Sequence, residues 1–230
     1  MISFGRTPRT VRSFVRRTGR MTGSQQRAIR DLLSTYGVGP KEEPLDFDNI
    51  FGRQADRVLD IGFGNGEALV CAAQQHPEQD FLGVEVHEPG VGHCLLIASK
   101  AGISNLRIVI QDAVEVLRER ISDESITRMN LLFPDPWPKK RHHKRRLLRT
   151  PFVDLVGEKL RPGGSLHIAT DWANYAEQID AVMSESDVFE LEERREHCGD
   201  RPIDRQTTKF ESRGIAKGHQ IWDWKFIRSP

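Results

Sequence analysis

Three glycines spaced two residues apart, Gly62, Gly64 and Gly66, follow a short apolar run in VLDIGFGNGE, and Asp60 stands just ahead of them. Where a strand turns into a helix, glycine lets the backbone take positive φ and approach a ligand closely. Two further acids hold comparable places, since Glu85 ends the apolar run in FLGVEVH and Asp112 follows RIVIQ. A carboxylate at such a strand end can accept both hydroxyl protons of a ribose. Asp112 is placed to meet an adenine edge, although an aspartate after a strand also serves as a helix cap. Together the acids predict a nucleoside ligand at the carboxyl ends of successive strands. A dinucleotide fingerprint requires its third glycine at 67, where Glu67 stands. That departure weakens the reading of a nicotinamide dinucleotide.

An acid followed by GxGxG resembles the first motif of methyltransferases that use S-adenosylmethionine, and this resemblance implies a ligand with no pyrophosphate for the helix N-terminus and an amino group that Asp60 can meet. A second reactive segment, NLLFPDPWPKKRHHKRR, follows a later apolar run. In open α/β sheets ligands bind at the carboxyl ends of strands, beside the point where strand order reverses. Pro134 and Pro136 fix φ on either side of Asp135, so its carboxylate can be held where a methyl acceptor must sit. A rigid turn with Asp135 as a helix cap is the alternative. His142 and His143 lack Cys or Asp partners at ligand spacing, so no metal site is expected. Trp137 and Trp172 are equally suited to stacking on bases and to packing.

Short apolar runs alternate with amphipathic stretches from Arg57 onward. Strands are predicted at 58–61, 81–86, 106–110, 129–133, 165–169, 188–192 and 221–227. Helices are predicted at 66–75, 89–101, 112–121, within 143–160 and at 173–184. Repeated βα units imply an α/β fold, a doubly wound and mostly parallel seven-stranded sheet with helices on both faces. The last strand, IWDWKFI, alternates and follows a long loop, which predicts an antiparallel addition near the sheet edge. Residues 1–50 read as a basic, partly flexible arm with a short helix around 24–35, ahead of a domain at 51–230. The Arg-rich start of the arm also resembles a mitochondrial transit peptide, and composition alone leaves that open.

Charge is strongly segregated in this 230-residue chain of net charge +1. Residues 1–30 carry eight arginines and no acid, and residues 139–149 carry seven Lys or Arg and no acid. The remaining 189 residues hold 19 bases against 33 acids, a net of −14. An acidic globule with two dense basic segments is built to touch a polyanion at selected places, unless the segments are solvated faces or pack by their aliphatic stems. Three scattered cysteines form no CxxC pair and no even set, which predicts a reducing, cytoplasmic setting. No apolar run is long enough to cross a bilayer, so no membrane partner is expected.

The segment PDPWPKKRHHKRR resembles the PDPWxKxRHxKRR motif of the bacterial-type tRNA (guanine-N7-)-methyltransferases, and TKFESRG at 208–214 resembles their TKFExRG. VLDIGFGNG, GVEVH, QDAVEVL and ATDW fall in that family's order, and RSFVRRTGRMTGSQ is similar to its N-terminal region, which weakens the transit-peptide alternative. The resemblance covers residues 12–228. Asp60 departs from it, because relatives often carry Glu there. It implies transfer of a methyl group from S-adenosylmethionine to N7 of a guanine in tRNA, with guanine 46 of the variable loop as the family's target. It implies cofactor contacts at Asp60, Gly62, Gly64, Gly66, Glu85, Asp112 and Asp135, with Asp135 catalytic. Substrate contacts are implied at Lys139, Asp171, Thr208, Lys209, Phe210 and Glu211. For Asp171 the residues alone offer a helix cap, and for Glu211 a solvated loop carboxylate. A monomer or homodimer without an obligate protein partner is expected. A methyltransferase for another acceptor and an RNA-binding module without activity are the rivals.

Overall fold

The computed structural model describes residues 19–39, 44–199 and 203–230. Helices α1 (Gly23–Tyr36) and α2 (Phe47–Phe51) precede β1 (Arg57–Ile61), α3 (Glu67–Gln75), β2 (Asp80–Val84), α4 (Glu88–Ala101), β3 (Leu106–Val109) and α5 (Ala113–Glu119). There follow β4 (Ile126–Leu132), a 3-10 helix (Lys140–Arg145), α6 (Thr150–Lys159), β5 (Leu160–Thr170), α7 (Ala173–Ser184), β6 (Phe189–His197), α8 (Lys209–Ala216) and β7 (Ile221–Arg228). The seven strands form one sheet in the order β3-β2-β1-β4-β5-β7-β6. The first five strands pair in parallel, and β7 runs antiparallel between β5 and β6. The expected fold class and the antiparallel final strand are both present, with β6 on the outer edge. That edge reads FELEERREH, and its exposed charges discourage pairing with another chain.

The chain winds outward from β1 to β3 and then crosses back to place β4 beside β1, so strand order reverses between those two. Ligands bind at such a crossover. One sheet face buries Leu59, Met129, Leu166 and Trp224 in the larger core, against α6 and α7 residues such as Val153 and Ile179. The opposite face differs between its two halves. Over β1 to β3 it is apolar and covered by α3 and α4. Over β4, β5 and β7 it carries Asn130, His167 and Lys225 in register. His167 is fully buried with neither ring nitrogen hydrogen-bonded, and burial pulls its pKa down to about 3, so it is neutral.

Several elements add detail to the sequence expectation. α1 begins at a capping box in which Thr22 and Gln25 bond reciprocally, and its Ala28 and Tyr36 are buried in the smaller core. The residue after it, Gly37, bridges to Ile108 beside β3. The first 18 residues, where the transit-peptide alternative rests, lie outside the described residues. The helix expected within 143–160 is α6, which starts at Thr150 because Pro151 suits the first turn of a helix and not its interior. The short helix α8 was not anticipated, although Thr208 and Glu211 form a capping box that TxxE announces.

Candidate active site

β1 delivers Asp60 to the crossover and ends in the glycine loop, where Gly62, Gly64 and Gly66 all take positive φ (73°, 61° and 83°). Gly66 carries the tightest requirement, since a Cβ there would lie 2.4 Å from Cys94 Sγ on α4. Only glycine lets the loop close against that helix. Asp60 is 7% exposed and its nearest hydrogen-bond partner is Asn130 Nδ2 of β4, at 3.4 Å. Burial pushes its carboxyl up to about 6, against the Asn130 hydrogen bond, and Glu85 nearby adds to the rise. Such a carboxylate gains from an ammonium partner.

Glu85 follows β2 and is buried. Its Oε2 accepts the Gly64 amide at 3.0 Å, while Oε1 accepts those of Val86 and His87 at 2.6 and 2.9 Å. It therefore fixes the glycine loop as well as facing the site. Asp112 is the N-cap of α5, accepting the Val114 and Glu115 amides through Oδ1 at 2.8 and 3.4 Å. The capping reading is thus realised, and it occupies one carboxylate oxygen.

A cavity of about 170 Å³ opens between the glycine loop and α8, lined among others by Asp60, Asn65, Glu67, Thr208, Lys209, Phe210 and Arg213. Acids on one wall and cations on the other suit an amino acid moiety with its ammonium and carboxylate. Half-exposed Phe210 reaches over the loop, its Cε2 3.3 Å from where a Gly64 Cβ would be. The donor set and the glycine cradle fit S-adenosylmethionine.

β4 ends at the segment around Asp135. Phe133 holds φ at 54° and hands the chain sharply into the two prolines. Asp135 is exposed, as are Lys139, Lys140, Arg141 and Lys144 after it. Arg146 is a correction to the expectation that the whole basic run faces phosphates. It is 2% exposed and donates to Pro136 O, Asn174 Oδ1 and Gln178 Oε1 at 2.8, 3.0 and 2.9 Å. Trp137 packs against this run, with the Arg145 guanidinium 4.8 Å over its ring and His142 edge-on at 5.8 Å.

Asp171 is not the cap of α7. That place belongs to Trp172, whose amide donates to Thr170 Oγ1, and Asp171 Oδ2 instead pairs with His219 Nδ1 at 3.0 Å. Gly214 of α8 lies against it, where a Cβ would sit 3.1 Å from the same oxygen. Glu211 is no solvated loop residue: it is fully buried, and its Oε2 accepts Arg205 Nη1 at 2.8 Å and the Thr208 amide at 3.2 Å. Arg205 also grips Asp223 on β7, with Nη2 donating at 2.7 Å and Nε at 3.3 Å. This buried network seats α8 on the sheet and presents Thr208, Lys209 and Phe210 to the cavity. Arg205, Asp223 and His219 carry no local signal, because Asp223 lies 18 residues from Arg205 and His219 lies 48 from Asp171. Among the described residues no cluster of His, Cys, Asp or Glu could hold a metal ion, and no helix is long and apolar enough to cross a membrane.

Residues 54–224 match the family model described as "Putative methyltransferase". The tRNA (guanine-N(7)-)-methyltransferase of Halorhodospira halophila is 53% identical over 230 residues, covering 97% of each chain. The enzyme of that name from Escherichia coli O6:K15:H31 is 50% identical, covering 97% of this chain and 94% of its own. Among solved structures, an antibiotic-related methyltransferase superposes with a TM-score of 0.60 at 15% identity, covering 84% of this chain and 97% of its own. The 16S rRNA (adenine(1408)-N(1))-methyltransferase of Catenulisporales acidiphilia, solved with its cosubstrate, gives 0.57 at 16% identity, covering 78% and 88%. The last two show a shared fold. With a model matched over most of its length and relatives about half identical from end to end, the chain belongs to the bacterial tRNA (guanine-N(7)-)-methyltransferase family.

Proposed function

We propose that this protein transfers the methyl group of S-adenosylmethionine to N7 of guanine 46 in the variable loop of tRNA, forming 7-methylguanosine. The observation that carries the reading is the adjacency of β1 and β4 at the crossover, which brings the glycine loop with Asp60 beside the loop that bears Asp135. When bound, S-adenosylmethionine supplies an electrophilic methyl group on a sulfonium. Asp60 receives the cofactor's ammonium, and Glu85 turns its remaining lone pairs to the ribose hydroxyls. Asp112 offers the adenine edge the oxygen that does not cap α5.

Guanine N7 has an in-plane lone pair and no proton, so its attack needs no general base. The protein's task is alignment and charge placement. Asp135 accepts from the N1 and N2 protons of guanine and favours the positive charge that develops on the ring. Asp171, half-buried at the edge of α8, supports the base better than Glu211, whose carboxylate is enclosed. Glu211 acts by shaping the segment Thr208 to Phe210. Lys139 and the exposed cations after it hold tRNA phosphates, as does the basic arm ahead of the catalytic domain at 51–230. The protein works in the cytoplasm, as a monomer or homodimer, without an obligate partner.

Purified protein, isotope-labelled S-adenosylmethionine and an unmodified tRNA transcript, followed by nucleoside mass spectrometry, test this directly. Labelled 7-methylguanosine is expected, and a transcript with adenosine at position 46 should yield none. Label in another nucleoside, or undiminished 7-methylguanosine from the substituted transcript, would refute the assignment of base or site.

A further inference from the structure

The basic run contains one arginine whose surroundings are those of a structural clamp. Arg146 is 2% exposed, and its guanidinium lies 4.7 Å over the ring of Tyr175, itself fully buried on α7. Its donors are spent within the protein. Nε donates to Pro136 O at 2.8 Å, Nη1 to Gln178 Oε1 and Asn174 O at 2.9 and 3.2 Å, and Nη2 to Asn174 Oδ1 at 3.0 Å. Nη2 also lies 3.2 Å from His143 Nε2. One planar group thus ties the carbonyl next to Asp135 to two side chains and a carbonyl of α7. Tyr175 completes the joint by accepting the Leu148 amide at 3.1 Å. Burial pushes the Tyr175 hydroxyl up to about 12, so it stays protonated beneath the guanidinium.

We infer that Arg146 is a positioning residue that holds the Asp135 loop against α7 in its reactive geometry, and that tRNA phosphates are met by its exposed neighbours instead. This rests on the catalytic assignment of Asp135. A displacement of about 1 Å at a reacting centre can cost about a hundredfold in rate. Lysine serves as a point-charge phosphate ligand but cannot reproduce a planar fork with five donors. Arg146→Lys therefore separates the two roles.

The experiment measures kcat, the KM for tRNA and the salt dependence of tRNA binding for Arg146→Lys, for Asn174→Ala with Gln178→Ala, for Lys140→Ala with Lys144→Ala, and for Asp135→Asn. Arg146→Lys should lower kcat about 10- to 100-fold, with KM within about twofold and an unchanged salt slope. The α7 pair should lower kcat in the same direction, and adding Arg146→Lys to it should cost little more. Only the Lys140 and Lys144 pair should flatten the salt slope, by roughly one unit or more. Should Arg146→Lys lose its cooperative melt, the α7 pair, with Asn174 exposed and Gln178 half-buried, carries the test alone. Full kcat in Arg146→Lys alongside a slow Asp135→Asn would overturn the clamp and leave Asp135 standing. In Arg146→Met, measured alongside, the charge that lysine keeps is lost, and a flattened salt slope there would make Arg146 a phosphate ligand. Full activity in Asp135→Asn would remove the clamp's purpose together with the reading it rests on.

Discussion

Around the glycine loop, backbone conformation sets the ligand-facing geometry: positive φ at three glycines, Glu85 receiving three amides, and Asp112 capping α5. On the other side of the crossover, around Asp135 and α8, two buried guanidiniums do that work, Arg146 under the Asp135 loop and Arg205 under Thr208 to Glu211. For Arg205 the contrast follows from what covers each half of the sheet, while Arg146 stacks on Tyr175 of α7, which packs in the larger core. α3 and α4 lie on an apolar face and need only close approach, whereas the face over β4, β5 and β7 is polar, and the segment above it is held by ion pairs. A backbone-built site is rigid before its ligand arrives. A side-chain-built site can be retuned one partner at a time.

Substitutions that strike one half should leave the other working. The largest effect is expected at Arg205→Met, which strands two buried carboxylates, Glu211 and Asp223. Breaking a buried pair costs about 3 to 5 kcal/mol, and urea unfolding should show a loss of that size. Burial already holds Asp223 above the usual carboxylate range despite Arg205, so stranded Asp223 should take up a proton, and the loss should be smaller at pH 5 than at pH 8. Next comes Gly66→Ala, where the new Cβ meets Cys94 and the backbone keeps φ at 83°. Strain and overpacking together cost roughly 2 to 4 kcal/mol. Cofactor affinity, read by calorimetry, should collapse while the salt slope of tRNA binding survives.

Asp60 gives a subtler test of the backbone-built half. With its folded pKa near 6, above the unfolded value, the folded protein holds an extra proton between about pH 4 and 6. The stability this contributes is present at low pH and lost as pH rises through 6. Asp60→Asn should therefore stabilise the ligand-free protein at pH 8 by on the order of 2 kcal/mol in thermal or urea unfolding. The proposed contact with the cofactor's ammonium requires ionised Asp60, so wild-type affinity should weaken as pH falls below 6, and Asp60→Asn should lose that dependence. Smallest is Asp112→Ala, about 1 kcal/mol for a lost cap. Asp112→Asn keeps the cap, so any affinity it loses in calorimetry reports the second oxygen alone.

What the sequence revealed tracks the same division. The glycine loop, the acids at strand ends and the Asp135 segment are contiguous motifs whose chemistry depends on spacing along the chain, and each stands at the end of the strand expected for it. The capping boxes at Thr22 and Thr208 are also written locally, as TxxQ and TxxE; the first heads the helix expected around 24–35, whereas no long apolar period marks the helix after the second. Arg146 reads as one more cation in a basic run. Only α7, which brings Asn174 and Gln178 to it from about 30 residues away, makes it an interior residue. Arg205 likewise finds Asp223 across a separation of 18 residues, which no periodicity announces.

The central claim, that Asp135 favours methyl transfer after the tRNA is bound, is tested most directly by single-turnover kinetics. Asp135→Ala, with saturating cofactor and enzyme in excess over tRNA, should transfer the methyl group about a hundredfold or more slowly, while tRNA affinity stays within about threefold of wild type. A single-turnover rate equal to that of the wild-type protein would contradict the role given to this carboxylate.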